Sequence, residues 1–514
     1  MKRHLSAVLL AVVSLLPSLA QTPKQFDAKQ ILDQSYALSS KLDTNERLFY
    51  LVRLTDISTS ISPDKTPRWC EELFDLASAS ELSWNRVAHQ KNALVPLSRV
   101  NPQLALQRLG TVDVPQIGDN GYSEDVRADA AVEIFANNWK LRGSRAFSEI
   151  RLAAQKIADS KGEYPFRAVG YIVQELAKGP DKQGWANDIF RDALNYYRVG
   201  SKFQDEHAEF FDLVWSAQFK ISKDLYRPAL QLYVDRLLHD DSKDFPSFHG
   251  EIHAPNGIVY FSSERAMLLF RVFPLIANLD PTWAEELRTK HPELQQALGP
   301  IKAQSASMAP GPSGAEQLSK MQTDARDALF IQRIEDLQQT DPIAALQRVK
   351  ELKAPNDAIL RLAGFSSVLP GMAQLNFAEA KNIYNQMRAD SEAFKDSPMR
   401  LKSLLALAKA AYYVNNVNDS SDYIAALLDE GQLAFAASTK PVVSRSGYNE
   451  LRRVTEFAAM HQFLWIVDRI LGMQDTTPPA AALKAHLLLY AAKGLAVQEV
   501  SRQVVRTPLQ ASSH

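Results

Sequence analysis

Apolar residues in this 514-residue chain return at the spacing of one helix face in stretch after stretch, which points away from a sheet-based fold. Leu401, Leu404, Leu405, Ala408, Ala411 and Tyr412 form one such stripe. Phe203, His207, Phe210, Phe211, Val214, Trp215 and Phe219 form a broader one, and Leu225, Ala229, Leu232, Tyr233 and Leu237 a third. An amphipathic helix has to bury its stripe, so the pattern predicts helices packed on helices. Helix starts are marked by a capping side chain followed by proline, at Asn101-Pro102, Asp280-Pro281, Asp341-Pro342 and Ser397-Pro398. Proline in a first turn forfeits no hydrogen bond, because the amides there have no intrahelical partner. Breaks are expected at Gly179-Pro180, Gly299-Pro300 and Thr477-Pro478-Pro479.

The first twenty residues read as a leader rather than as part of the fold. Lys2, Arg3 and His4 precede the apolar run Leu5 to Leu16, and Ser18-Leu19-Ala20 supplies the small residues of a cleavage site ahead of Gln21. The run is shorter than the roughly 20 apolar residues of a spanning helix. The expectation is a periplasmic or secreted protein with no transmembrane segment in the mature chain. The richest later apolar stretch, Ala480 to Leu495, is interrupted by Lys484, His486 and Lys493 and reads as a buried helix.

The chain carries 58 basic and 59 acidic side chains, and loss of Lys2 and Arg3 with the leader leaves 56 against 59. A near-neutral surface without a dense basic run argues against nucleic acid as a partner. Cys70 is the one cysteine, so no disulfide forms within the chain, and it reads as a small buried hydrophobe. Stability therefore has to come from core burial.

Residues 299–319 contain little to bury: Ala303 to Ala315 is almost wholly Ala, Ser, Gly, Pro and Gln. This predicts a flexible linker at 299–319 between an N-terminal helical domain, 21–298, and a C-terminal one, 320–508. The halves also resemble each other. Asn101-Pro102-Gln103-Leu104-Ala105-Leu106-Gln107-Arg108-Leu109 parallels Asp341-Pro342-Ile343-Ala344-Ala345-Leu346-Gln347-Arg348-Val349, and Phe147 to Arg151 parallels Phe377 to Lys381. Ala186, Phe190 and Ala193, with Ala380 and Tyr384, follow the Ala-x3-aromatic-x2-Ala pattern of a second repeat helix, and Leu360 and Gly364 fit part of the first-helix pattern. In these residues the chain resembles the tetratricopeptide-like helical-repeat proteins. No strict 34-residue period is present, so the resemblance implies an irregular α-solenoid-like array.

The chain has no nucleophile elbow, no phosphate-binding glycine loop and no His-Glu-x-x-His. One segment departs from the helical pattern. Around 248–262, Gly250, Pro255 and Gly257 oppose a helix, Asn256-Gly257 signals a tight turn, and Ile258 to Phe261 are strand formers, which predicts a short β-hairpin-like insertion. In an extended chain His249, Glu251 and His253 share a side. Two imidazoles and a carboxylate there form a candidate site for a divalent metal such as zinc, with His239, Asp240 and Asp241 close in sequence. No other cofactor is expected. Of the seven tryptophans only Trp465 follows the linker, and Trp69, Trp84 and Trp139 lie outside clean apolar stripes and are candidates for a groove.

Stacked helix pairs usually offer a surface to another chain, so the leading expectation is a binding or scaffold module for a protein or peptide partner in the cell envelope. The alternative is an exported metal-dependent hydrolase built on His249, Glu251 and His253, or a glycan-acting enzyme.

Overall fold

The computed structural model describes residues 26–290 and 330–506, apart from 82, 115–124, 201–205, 240–249, 255–256, 262, 332–333, 353–356, 437–441 and 446. The expected leader and the 299–319 segment therefore lie outside the described residues. The fold class is all-α, with one two-stranded antiparallel ribbon. The ribbon pairs β1 (Gly250–Ala254) with β2 (Gly257–Phe261) and sets Glu251 opposite Tyr260 and His253 opposite Ile258.

The chain divides into two compact units, residues 51–308 and residues 1–50 with 309–514. This differs from the expected 21–298 and 320–508 at the N-terminal side. Helix α1 (Ala28–Leu38) buries Ile31 and Leu32 and belongs with the C-terminal unit. Ser35 Oγ donates to the carbonyl of Ala485 at 2.7 Å, 450 residues on, and lies 2.7 Å from Tyr50 Oη. No local signal in the sequence announces so distant a partner. The boundary at residue 50 falls inside α2 (Thr44–Ile61).

The 51–308 unit continues through α3 (Thr66–Ser78), α4 (Trp84–Val100), α5 (Pro102–Leu109), α6 (Val126–Arg142) and α7 (Phe147–Asp159). It goes on to α8 (Phe166–Leu176), α9 (Gln183–Val199), α10 (Glu206–Ala217), α11 (Lys223–His239), the ribbon, α12 (Glu264–Leu279) and α13 (Pro281–Lys290). Several consecutive helices pack on each other, and alternate ones do as well. Helix α4 packs on α6, α6 on α8, α8 on α10 and α10 on α12, while α5 packs on α7, α7 on α9 and α9 on α11. Ion pairs run across the first row: Arg99 on α4 reaches Asp56 at 2.8 Å and Glu133 at 3.2 Å, and Arg271 on α12 reaches Asp212 on α10 at 3.3 Å. Inside, Phe166, Tyr197, Phe210 and Tyr233 form an aromatic core, with Tyr197 Oη 2.7 Å from His207 Nδ1.

The other unit holds α14 (Pro342–Lys350), α15 (Ala358–Leu375), α16 (Phe377–Ser391), α17 (Arg400–Tyr413), α18 (Val417–Ala436), α19 (Tyr448–Met460), α20 (Trp465–Leu471) and α21 (Pro478–Arg506). Again alternate helices meet: α15 packs on α17, α17 on α19 and α19 on α21, which α1 also covers. The expected stripe on α17 holds, with Leu404, Leu405, Ala408 and Ala411 buried. Two helices, Ala358–Leu375 and Pro478–Glu499, are long and apolar enough to cross a membrane by length and composition. The apolar window on α21 is 72% buried within the structure and that on α15 44%. Much of the apolar surface of α21 meets α1, α19 and α20.

Four corners rest on one residue each. Asn101, Asp280, Asp341 and Asn376 share φ between −151° and −140° and ψ between 77° and 93°. Each donates its N–H to the helix before it, at 2.7–2.8 Å. Each also accepts, on its side-chain oxygen, the amide three residues on, at 2.9–3.2 Å. One short side chain thus closes one helix and opens the next. Ser397-Pro398 departs from this expectation: α17 starts only at Arg400, and Ser397 closes a turn through Met399 N at 3.2 Å. The matched segments of the two halves fold alike. Helix α5 buries Ala105, Leu106 and Leu109, and α14 buries Ala345, Leu346 and Val349 at the same positions.

Candidate functional site

Of the candidate metal ligands, His249 lies outside the described residues, and Glu251 and His253 take alternate register positions on β1. His239 ends α11 with its Nδ1 2.6 Å from the carbonyl of Asp235, while Asp240 and Asp241 lie outside the described residues. Among the described residues, no group of three His, Cys, Asp or Glu side chains is placed to hold a metal ion. Cys70 is buried on α3, and burial pushes its thiol up to about 12, so it stays protonated and inert. Trp69 is buried in the core, which removes it as a groove residue. Trp84 is exposed at the start of α4, and Trp139 is half-buried with Lys182 Nζ 6.0 Å from its ring centroid.

One cleft among the described residues had no marker in the sequence. It is an apolar groove of about 1000 Å³ in the unit that contains α14 to α21. The last two turns of α18 supply Gln432, Leu433 and Phe435, the turn after α20 supplies Met473, and the first turns of α21 supply Pro479 and Leu483. Leu433, on this lining, is 73% exposed. Its neighbour Phe435 is buried.

Polar contacts hold the walls in place. The Arg445 guanidinium lies 4.6 Å from the Phe435 ring centroid and donates to the Phe435 carbonyl at 3.4 Å. Gln432 Nε2 reaches Met473 Sδ at 3.9 Å, and Arg469 donates to Asp429. Lys484 Nζ donates to the Met473 carbonyl at 2.8 Å. Asp475 stands 3.1 Å from Lys41 and 3.7 Å from Lys484. The hydrogen bond from Lys41, with both ammonium charges, holds its carboxyl below the usual range. Behind the rim, Glu46 accepts the Val442 amide at 2.8 Å. Burial raises the Glu46 carboxyl pKa, the Val442 hydrogen bond opposes that shift, and the Asp43 and Arg445 charges act more weakly in opposite senses.

An apolar floor with a few fixed polar groups is the chemistry of a site that takes an apolar side chain and reads its flanks by hydrogen bonding. No nucleophile and base stand together in it, and Asp429 and Asp475 are engaged by Arg469 and by Lys41. Two titrating groups displaced by burial lie elsewhere in this unit. Burial lowers the Lys409 amine pKa, with Arg453 adding to the effect, and burial with the Lys409 charge brings His461 to about 4. Comparison with protein families, with curated proteins and with solved structures found no match to this chain.

Proposed function

We propose that this is an exported, α-solenoid-like helical-repeat protein that binds an apolar peptide segment of a partner protein in the cell envelope. The alternate-helix packing of α4, α6, α8, α10 and α12, with its counterpart in α15, α17, α19 and α21, supports the solenoid-like reading. The basic start and Ser18-Leu19-Ala20 support export. The observation that carries the binding role is Leu433, exposed beside an apolar groove of about 1000 Å³. That volume suits a short peptide segment with bulky apolar side chains rather than a whole domain surface. Arg445, Gln432 and Gln474 on the lining offer donors for peptide carbonyls at the flanks of such an anchor.

The test is selection from a displayed-peptide library against the folded protein, with Leu433→Gln as the counter-screen. An exposed leucine changed to glutamine keeps helix propensity and leaves the core intact. The expected outcome is a family of peptides with a shared bulky apolar anchor that bind the variant about tenfold more weakly. Peptides that bind both proteins equally, or no enrichment at all, would overturn the groove as the binding site.

A further inference from the structure

The unit spanning 51–308 has one edge where the α4, α6, α8, α10 and α12 row turns into the α5, α7, α9, α11 and α13 helices. All five of its corners lie within the described residues. Three successive corners, at 139–147, 175–185 and 215–224, touch one another. Phe147 stacks on Trp185 with ring centroids 4.9 Å apart and planes 6° apart. Gln183 donates from Nε2 to the Lys220 carbonyl, and the Ser222 amide donates to Asn187 Oδ1 at 3.0 Å.

Large apolar side chains protrude from this strip: Leu141 is 56% exposed, Trp185 40%, Trp215 54% and Phe219 85%. Phe219 is also one of four non-glycine residues with positive φ among the described residues, at 62°. A bulky residue in the left-handed region is strained, and strain of this kind collects where function holds it. Nothing in the core explains the ring, because it is almost fully solvated. The three corners also carry seven basic residues and three acidic ones, although the whole chain has a net charge of −1. Arg142 is paired with Glu149 and Lys178 with Glu175. Lys140, Arg145 and Lys223 are exposed on these corners, as are Asp181 and Asp224.

We propose that this corner edge docks on an anionic lipid bilayer, with Phe219 and Trp215 entering the headgroup region and the surrounding lysines and Arg145 meeting lipid phosphates. Protruding aromatics on corners with a surplus of basic residues match that interface on both counts. Tryptophan and phenylalanine partition to the boundary of headgroup and chain, and basic side chains are drawn to the negative surface potential. The edge lies in the other compact unit from the peptide groove, and the proposal does not depend on that reading.

The experiment is co-sedimentation of the full chain with vesicles of phosphatidylglycerol and phosphatidylcholine, and with phosphatidylcholine alone, at low and at high salt. The expected result is binding to the mixed vesicles that high salt weakens, and little binding to the neutral ones. Phe219→Asn tolerates the left-handed corner and should weaken binding about tenfold with its circular dichroism unchanged. Lys223→Gln should weaken it at low salt and have less effect at high salt. Equal binding to both vesicle types, or no binding to either, would overturn the proposal. So would a Phe219→Asn variant that binds like wild type, since charge alone would then be responsible.

Discussion

Phe219 bears a cost that most corner residues avoid. The apolar spacing that begins at Phe203 places it in a helix stripe, but α10 stops at Ala217, and Phe219 turns left-handed and into solvent. Replacement by asparagine removes most of the steric penalty of that backbone, so Phe219→Asn is expected to raise unfolding stability by about 1 kcal/mol in urea denaturation. A gain in stability with a loss of vesicle binding would mark a residue kept for function rather than for folding. His461 makes a pH prediction. Its ring lies 4.2 Å from that of Tyr412 and 4.6 Å from that of Phe457 by centroid, and its pKa falls from 6.5 to about 4 on folding. The folded state favours the neutral ring, so the stabilisation is fully present above pH 6.5 and is lost as pH falls through 6.5 towards 4. His461→Phe should therefore flatten the decline in melting temperature across that window; an unchanged decline would assign it to other groups. At this scale much was legible: Cys70 as a buried hydrophobe and three of the four cap-proline pairs need only local chemistry. Phe219 was not legible, because where a helix stops depends on what packs beyond it.

Helices here are placed by close approaches as much as by stripes. Gly494 on α21 lies against α19, where an added Cβ would come 2.9 Å from Ala459 Cβ and 2.9 Å from the Met460 amide nitrogen. Gly494→Val is expected to force the two helices apart and to cost about 3 kcal/mol in denaturant unfolding. Gly364 has the same role between α15 and α14, with Val349 Cγ2 2.9 Å from the added carbon. The repeat-like Leu360 and Gly364 pattern marked this position, and the reason it needs glycine is that contact. The corner at Asn376 predicts a smaller effect: Asn376→Ala removes the acceptor for the Glu379 amide and should cost about 1 kcal/mol. Helix existence was legible because the period of the apolar residues repeats over several turns. Which helix packs on which was not, since the alternate-helix contacts arise from non-local burial. The groove was hidden for the same reason: α18, the turn after α20 and the start of α21 each look unremarkable alone.

At the scale of the whole chain, the division into residues 51–308 and residues 1–50 with 309–514 makes the C-terminal unit discontinuous in sequence. A fragment of 320–508 alone would leave the α21 face that meets Ile31, Leu32 and Ser35 open to solvent. It is expected to unfold with low cooperativity, and a peptide of residues 26–50 added in trans should restore a sharp transition. A fragment that melts sharply without the peptide would contradict the packing of α1 on α21. The low-complexity 299–319 segment remains a proposed linker, and the boundary between residues 308 and 309 falls inside it. The central claim is that the groove beside Leu433 receives a partner peptide, and amide hydrogen exchange with and without a library-selected peptide tests it most directly. The account predicts slower exchange confined to 429–436, 442–445 and 473–483, and no slowing in Leu433→Gln at the same peptide concentration. Protection concentrated elsewhere, or protection that survives Leu433→Gln, would contradict it.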